Sequence, residues 1–242
     1  MKLTEKDVVL FSGDSITDGG RGHSMDCNHI MGHGYHYIVA SRLALDNCES
    51  RPKFINKGYS GENAVDLLGK WQEDVIANKP TVLSILVGVN EGGYGYFNNL
   101  TPDEALERYE TNLRAILEFT RRKLGDIKII LCEPFYCPLD ETDRSYRFSP
   151  HPDGVEKPFN RPDSNDPADS VTYRIEVNKK IRAAASVIAE DFGCIFVPLF
   201  DKINAVAQKT RMEYLMWDGT HPSIAGHMLI AEEWLKAVEK ST

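Results

Sequence analysis

The sequence predicts an α/β protein built on a mostly parallel sheet. Short apolar, β-branched runs alternate with segments whose apolar residues recur at helical spacing, the arrangement that makes successive βα units. Small and polar residues follow the runs, where such a sheet places its turns. The 242 residues, 42% hydrophobic and 26% charged, can bury one large core without disulfides or metals. One domain over residues 1–242 is therefore expected.

In chain order the strands fall at residues 8–11, 54–56, 82–87, 127–132 and 195–197. Helical segments lie between them at 35–45, 64–78, 102–124, 173–192 and 199–210, with a last one at 223–239. The segment at 102–124 carries the fullest set of signals. Thr101 is its N-cap, Pro102 its first residue, Glu104 the capping-box partner and Gly125 its stop. Leu106, Tyr109, Leu113, Ile116 and Leu117 then form one apolar stripe directed at the sheet. Residues 133–169 break the pattern. Rich in Pro, Asp, Arg and aromatics and lacking either periodicity, they are too long for a simple connection. They read as an irregular insertion, which Tyr136, Tyr146, Phe148 and Phe159 would pack. No repeat or linker divides the chain.

The formal net charge of -8 leaves no basic surplus to neutralise phosphates, so nucleic acid is excluded as a partner. Cys27, Cys48, Cys132, Cys137 and Cys194 show no CxxC pair, and their odd number favours reduced thiols. The N-terminal residues lack a secretory apolar stretch and no run reaches membrane-spanning length. A cytoplasmic protein without membrane insertion is expected.

Ligands of an open parallel sheet bind outside the carboxyl ends of its strands, so the turns that follow the strands are where chemistry belongs. After the first comes Gly13-Asp14-Ser15, a tight turn that would present the Ser15 hydroxyl. After the second comes Asn56-Lys57-Gly58-Tyr59-Ser60-Gly61, whose glycines let backbone N–H groups approach a substrate oxygen. After the third comes Gly88-Val89-Asn90-Glu91, with the Asn90 amide as a side-chain donor. Beyond the last strand and its helix, Trp217-Asp218-Gly219-Thr220-His221-Pro222 supplies a carboxylate and an imidazole. A serine hydroxyl needs a base and the base an orienting group, roles that His221 and Asp218 fit. The N–H groups of Ser15 and Gly61 with Asn90 would receive an oxyanion.

These residues, in this order and spacing, resemble the four sequence blocks of the SGNH (GDSL) hydrolases. The resemblance runs from Val8 to about Trp234. It implies a flavodoxin-like three-layer α/β/α sandwich with a five-stranded parallel sheet of order 2-1-3-4-5. It also implies Ser15 as nucleophile, Gly61 and Asn90 as oxyanion donors, Asp218 as orienter and His221 as base. One departure is visible: the third block of the family commonly reads Gly-x-Asn-Asp, and here Glu91 follows Asn90. A glutamate reaches farther and need not bond the same backbone groups.

The α/β-hydrolase alternative needs a GxSxG elbow, and Gly58-Tyr59-Ser60-Gly61-Glu62 fails at its last position. His23, Cys27, His29, His33 and His36 match no common zinc spacing and are assigned to packing or the pocket mouth. Neither metal nor cofactor is required. Gly92 to Phe97 reads as a flexible aromatic loop, with Tyr94, Tyr96 and also Asp14 as candidate substrate contacts. The expected activity is hydrolysis of a small acyl ester, acetyl on a carbohydrate being the first reading, through an acyl-serine. A lysophospholipase or thioesterase of longer chains and a silent carbohydrate- or partner-binding domain are the alternatives.

Overall fold

The computed structural model describes residues 1–22, 28–139 and 168–241. Its centre is a five-stranded, all-parallel sheet of order β2-β1-β3-β4-β5, the order the family resemblance implies. The strands are β1 (Val8–Gly13), β2 (Lys53–Gly58), β3 (Val82–Leu86), β4 (Lys128–Cys132) and β5 (Ile195–Val197). Each lies within two residues of its expected place. In register, Gly13 stands between Gly58 and Leu86. The three turns that follow these strands therefore leave the sheet at one level. A side chain at Gly13 would bring its Cβ to 2.1 Å from the Leu86 carbonyl oxygen, so only glycine allows this approach.

Alternation along the strands builds a core on each face. Val9, Phe11 and Ile130 pack with Tyr35, Leu43, Ile203 and Trp234 from α2 (Tyr35–Asp46), α7 (Phe200–Ala207) and α9 (Ile224–Lys240). Leu10, Ile85 and Leu131 pack with Trp71, Tyr109, Ile116 and Ile188 from α3 (Ala64–Asp74), α5 (Pro102–Leu124) and α6 (Ala168–Asp191). The expected stripe of α5 is there, with Tyr109, Leu113, Ile116 and Leu117 fully buried. So is the Thr101–Glu104 capping box.

Several elements differ from expectation. Residues 15–18 form a single turn, α1 (Ser15–Asp18), closed by Gly19. The stretch 64–78 divides into α3 and a 3-10 turn over Ile76–Asn78, and 199–210 yields the shorter α7, with α8 (Met212–Leu215) beyond it. α6 begins at Ala168, before the expected 173. The Gly92 to Phe97 segment is not a loop. It belongs to a helix, α4 (Val89–Phe97), packed against α5 and α6. Gly95 faces Tyr173 so closely that a Cβ there would lie 2.2 Å from the phenolic oxygen. Glycine here permits helix contact.

Among the described residues no helix is long and apolar enough to cross a membrane. Cys48, Cys132, Cys137 and Cys194 are free thiols. His23, Cys27, Tyr146, Phe148 and Phe159 lie outside the described residues, as does most of the 133–169 insertion.

Candidate active site

Ser15 opens α1 at the carboxyl end of β1. Its Oγ lies 2.8 Å from His221 Nε2, and His221 Nδ1 lies 2.7 Å from Asp218 Oδ2. The carboxylate fixes the tautomer: Nδ1–H donates to Asp218, which leaves Nε2 as the acceptor facing Ser15. The other Asp218 oxygen accepts the backbone N–H groups of His221 at 2.7 Å and Thr220 at 2.9 Å. Burial drives the Asp218 carboxyl up, but the bonds and charge of His221 and these backbone donors outweigh it and hold the group at about 2. Asp218 is thus ionised at any working pH.

An aspartate ahead of a helix is often its cap, but here Ser223 fills that position, its Oγ accepting Gly226 N–H at 3.2 Å. Asp218 Oδ2 faces the imidazole. A short bridge closes the loop: Met216 pairs antiparallel with Pro222, and Trp217 N–H donates to the His221 carbonyl at 2.7 Å. Cys137 N–H donates to the Gly219 carbonyl at 2.8 Å and ties the loop to the segment that follows β4.

The second half of the site spans three turns. As the first residue of α1, Ser15 has an N–H with no intrahelical acceptor. Gly61 is exposed, and its N–H has no partner among the described residues. Asn90, in the first turn of α4, donates from Nδ2 to the Glu62 carbonyl at 2.8 Å. That bond fixes the amide plane and leaves its second hydrogen. Asp18 holds the Gly61 turn from below, its Oδ2 accepting Ser60 N–H at 3.1 Å and Ser60 Oγ–H at 2.7 Å.

Glu91, the departure from the family pattern, is 1% exposed. Its Oε1 accepts Ala64 N–H at 2.9 Å and its Oε2 pairs with Arg108. Burial pushes its carboxyl up, with Ala64 and Arg108 opposing. Sequence reasoning did not find Asp18 or Arg108 as supports of the site. The unusual Glu91 was the one signal available.

The three candidate substrate contacts each have a partner within the protein. Asp14 is 1% exposed, and its Oδ1 caps α1 by accepting Ile16 N–H at 3.0 Å. The side chain is a cap beneath Ser15. Tyr94 places its ring 3.9 Å from the Arg108 guanidinium, and Tyr96 O–H donates to Asp169 at 3.0 Å. His36 is buried, with Nε2 at 2.6 Å from the Met31 carbonyl, and burial holds it down at about 4. Among the described residues no group of three or more His, Cys, Asp or Glu is placed to hold a metal ion.

Residues 11–229 match the model of the GDSL-like Lipase/Acylhydrolase family. The chain belongs to that family. It is 31% identical to an acetylxylan esterase of Geobacillus stearothermophilus, over 98% of this chain and 96% of the relative. A GDSL esterase/lipase of Arabidopsis thaliana is 23% identical, over 98% and 88%. The crystal structure of the Geobacillus acetylxylan esterase superposes with a TM-score of 0.73 at 30% identity, covering 98% of this chain and 96% of that one. Structures of its catalytic mutants replace a serine, an aspartate and a histidine by alanine, the last two being three positions apart. As a GDSL-family member with these relatives, the chain is an ester-hydrolysing serine hydrolase.

Proposed function

We propose that this GDSL hydrolase removes acetyl groups from the hydroxyls of a carbohydrate, with Ser15, His221 and Asp218 as its catalytic triad. The observation that carries the reading is the continuous relay from Asp218 Oδ2 to His221 at 2.7 Å and from His221 Nε2 to Ser15 Oγ at 2.8 Å. It stands beside the N–H groups of Ser15 and Gly61, which have no partner among the described residues. The spacing of Asp218 and His221 equals that of the catalytic aspartate and histidine replaced in the Geobacillus esterase.

The chemistry follows from the geometry. His221 Nε2 takes the Ser15 proton as Oγ bonds to the acetyl carbonyl carbon. The carbonyl oxygen becomes an oxyanion, which Ser15 N–H, Gly61 N–H and Asn90 Nδ2–H receive. As the ester C–O bond breaks, His221 gives its proton to the departing sugar oxygen, leaving acetyl-Ser15. Water then repeats the cycle: one proton goes to His221 and the hydroxyl oxygen to the acyl carbon, His221 returns the proton to Ser15 Oγ as the acyl–Oγ bond breaks, and acetic acid leaves, ionising to acetate in solution. Asp218 orients the ring and stabilises the imidazolium without taking its proton.

The test is a panel of acyl esters and acetylated saccharides assayed with wild type and Ser15→Ala in parallel. We expect kcat/KM to peak at acetyl or propionyl and to fall by eight carbons. A long chain needs an apolar groove, each buried methylene contributing about 0.8 kcal/mol. A rise toward long chains rejects the proposal.

A further inference from the structure

Gly61 and Asn90 reach the site from separate turns that no covalent link holds together. An oxyanion hole works only if its donors keep their spacing, and a displacement of about 1 Å can cost on the order of a hundredfold in rate. The Asn90–Glu62 bond is a single contact between the turns. We propose that Glu91 is a positioning residue of the oxyanion hole, the strut that locks the turn carrying Asn90 to the turn carrying Gly61. The proposal rests on the reading of Gly61 and Asn90 given above.

Four observations support it. Glu91 is adjacent to Asn90 and 1% exposed; a carboxylate is costly at such a place unless it is paired. Its Oε1 accepts at 2.9 Å from the N–H of Ala64, the first residue of α3, which has no acceptor within its own helix. Its Oε2 pairs with Arg108, which donates through its other nitrogen to Asn63 Oδ1 at 3.0 Å. Asn63 is the N-cap of α3, two residues beyond Gly61, and its Oδ1 also accepts Val65 N–H at 3.0 Å. The contacts therefore close a ring from Glu91 through Ala64 and Asn63 to Arg108 and back. Tyr94, on the same helix as Asn90, covers the Arg108 guanidinium.

The identity of the residue matters as much as its charge. An aspartate would end about one C–C bond, ~1.5 Å, short. From the same backbone it cannot meet both Ala64 N–H and Arg108. A glutamine keeps the reach and, through Oε1, an acceptor for Ala64 N–H, but its Nε2 can only donate and gives up the pair with Arg108.

The experiment is a double-mutant cycle on kcat in the full chain, with Glu91→Ala, Asn90→Ala and the pair, plus Glu91→Gln and Glu91→Asp. Thermal melts report folding. We expect Glu91→Ala to lower kcat about ten- to a hundredfold with KM nearly unchanged. Glu91→Gln, which keeps the Ala64 bond, should recover part of that loss, and Glu91→Asp should remain low although its charge is native. In the Asn90→Ala background, the further loss from Glu91→Ala should shrink to about threefold or less, because the donor being positioned is gone. Full additivity, or wild-type kcat in Glu91→Asp, overturns the proposal and leaves Glu91 a brace of the fold. If Asn90→Ala itself retains wild-type kcat, the oxyanion assignment fails and the strut fails with it. Should Glu91→Ala not fold, the contrast between glutamine and aspartate decides.

Discussion

The two halves of the site are held by opposite means. The base half is local: the hydrogen bonds that Asp218 makes to Thr220 and His221 among the described residues span no more than three positions. It is also open, with side-chain exposures of 45% for His221 and 29% for Asp218. The oxyanion half is assembled from the ends of β1, β2 and β3 and rests on carboxyl groups of the interior, Asp14 at 1%, Asp18 at 7% and Glu91 at 1% exposure. A geometry encoded within one turn tolerates solvent around it. Donors that arrive from separate strands need struts, and a carboxylate is well suited to reach an unpaired backbone N–H at a helix start.

The comparison breaks most sharply at the relay itself. Ser15→Ala and His221→Ala are each expected to lower kcat by about a million-fold, since nucleophile and base act as one unit. Asp218→Ala should cost less, on the order of ten-thousand-fold, because it orients and stabilises. Steady-state kinetics with an acetyl ester read all three. Equal losses at Asp218 and Asn90 would remove the distinction between the halves.

The same distinction governs what the sequence discloses. Asp218 and His221 are legible because their spacing and their geometry are one fact. The strands are legible because apolar β-branched runs persist in a buried parallel sheet. α4 escapes notice because Gly92, Gly93 and Gly95 have poor helix propensity, and its stability comes from contact with Tyr173 and Arg174. The struts escape for a related reason. Asp18 acts on Ser60, and Glu91 on Ala64 and Arg108. Nothing in local pattern links such positions. Asp14 suggests a substrate contact because it adjoins Ser15, yet strand and helix turn its side chain inward to cap α1.

Within the oxyanion half, Asn90→Ala should lower kcat by roughly a hundred- to a thousandfold with little change in KM, since its bond strengthens as negative charge develops. The split is the informative part. A matching rise in KM would make Asn90 a ground-state contact and would place the electrostatic work on the two backbone donors.

The last effect concerns stability, and it separates the halves by sign. Burial pushes the Asp14 carboxyl up to about 7, against the Ile16 N–H bond and the charge of His221; its Oδ2 is buried without a partner among the described residues. Asp218 is displaced the other way, to about 2. A raised folded-state value means that the folded chain holds the Asp14 proton more tightly than the unfolded chain does. The stability from this group is therefore complete below the unfolded value near 4, and it is lost as pH rises through about 7. Asp14→Asn keeps an oxygen for Ile16 N–H and cannot ionise. Wild type should match the variant near pH 4 and fall behind it toward neutrality, with a slope approaching about 1.4 kcal/mol per pH unit. Melting temperatures of the two proteins across that range give the answer. Curves that stay parallel would mean that Asp14 ionises as freely as a surface carboxylate, and the buried support beneath Ser15 would then be no different in kind from the exposed loop that carries His221.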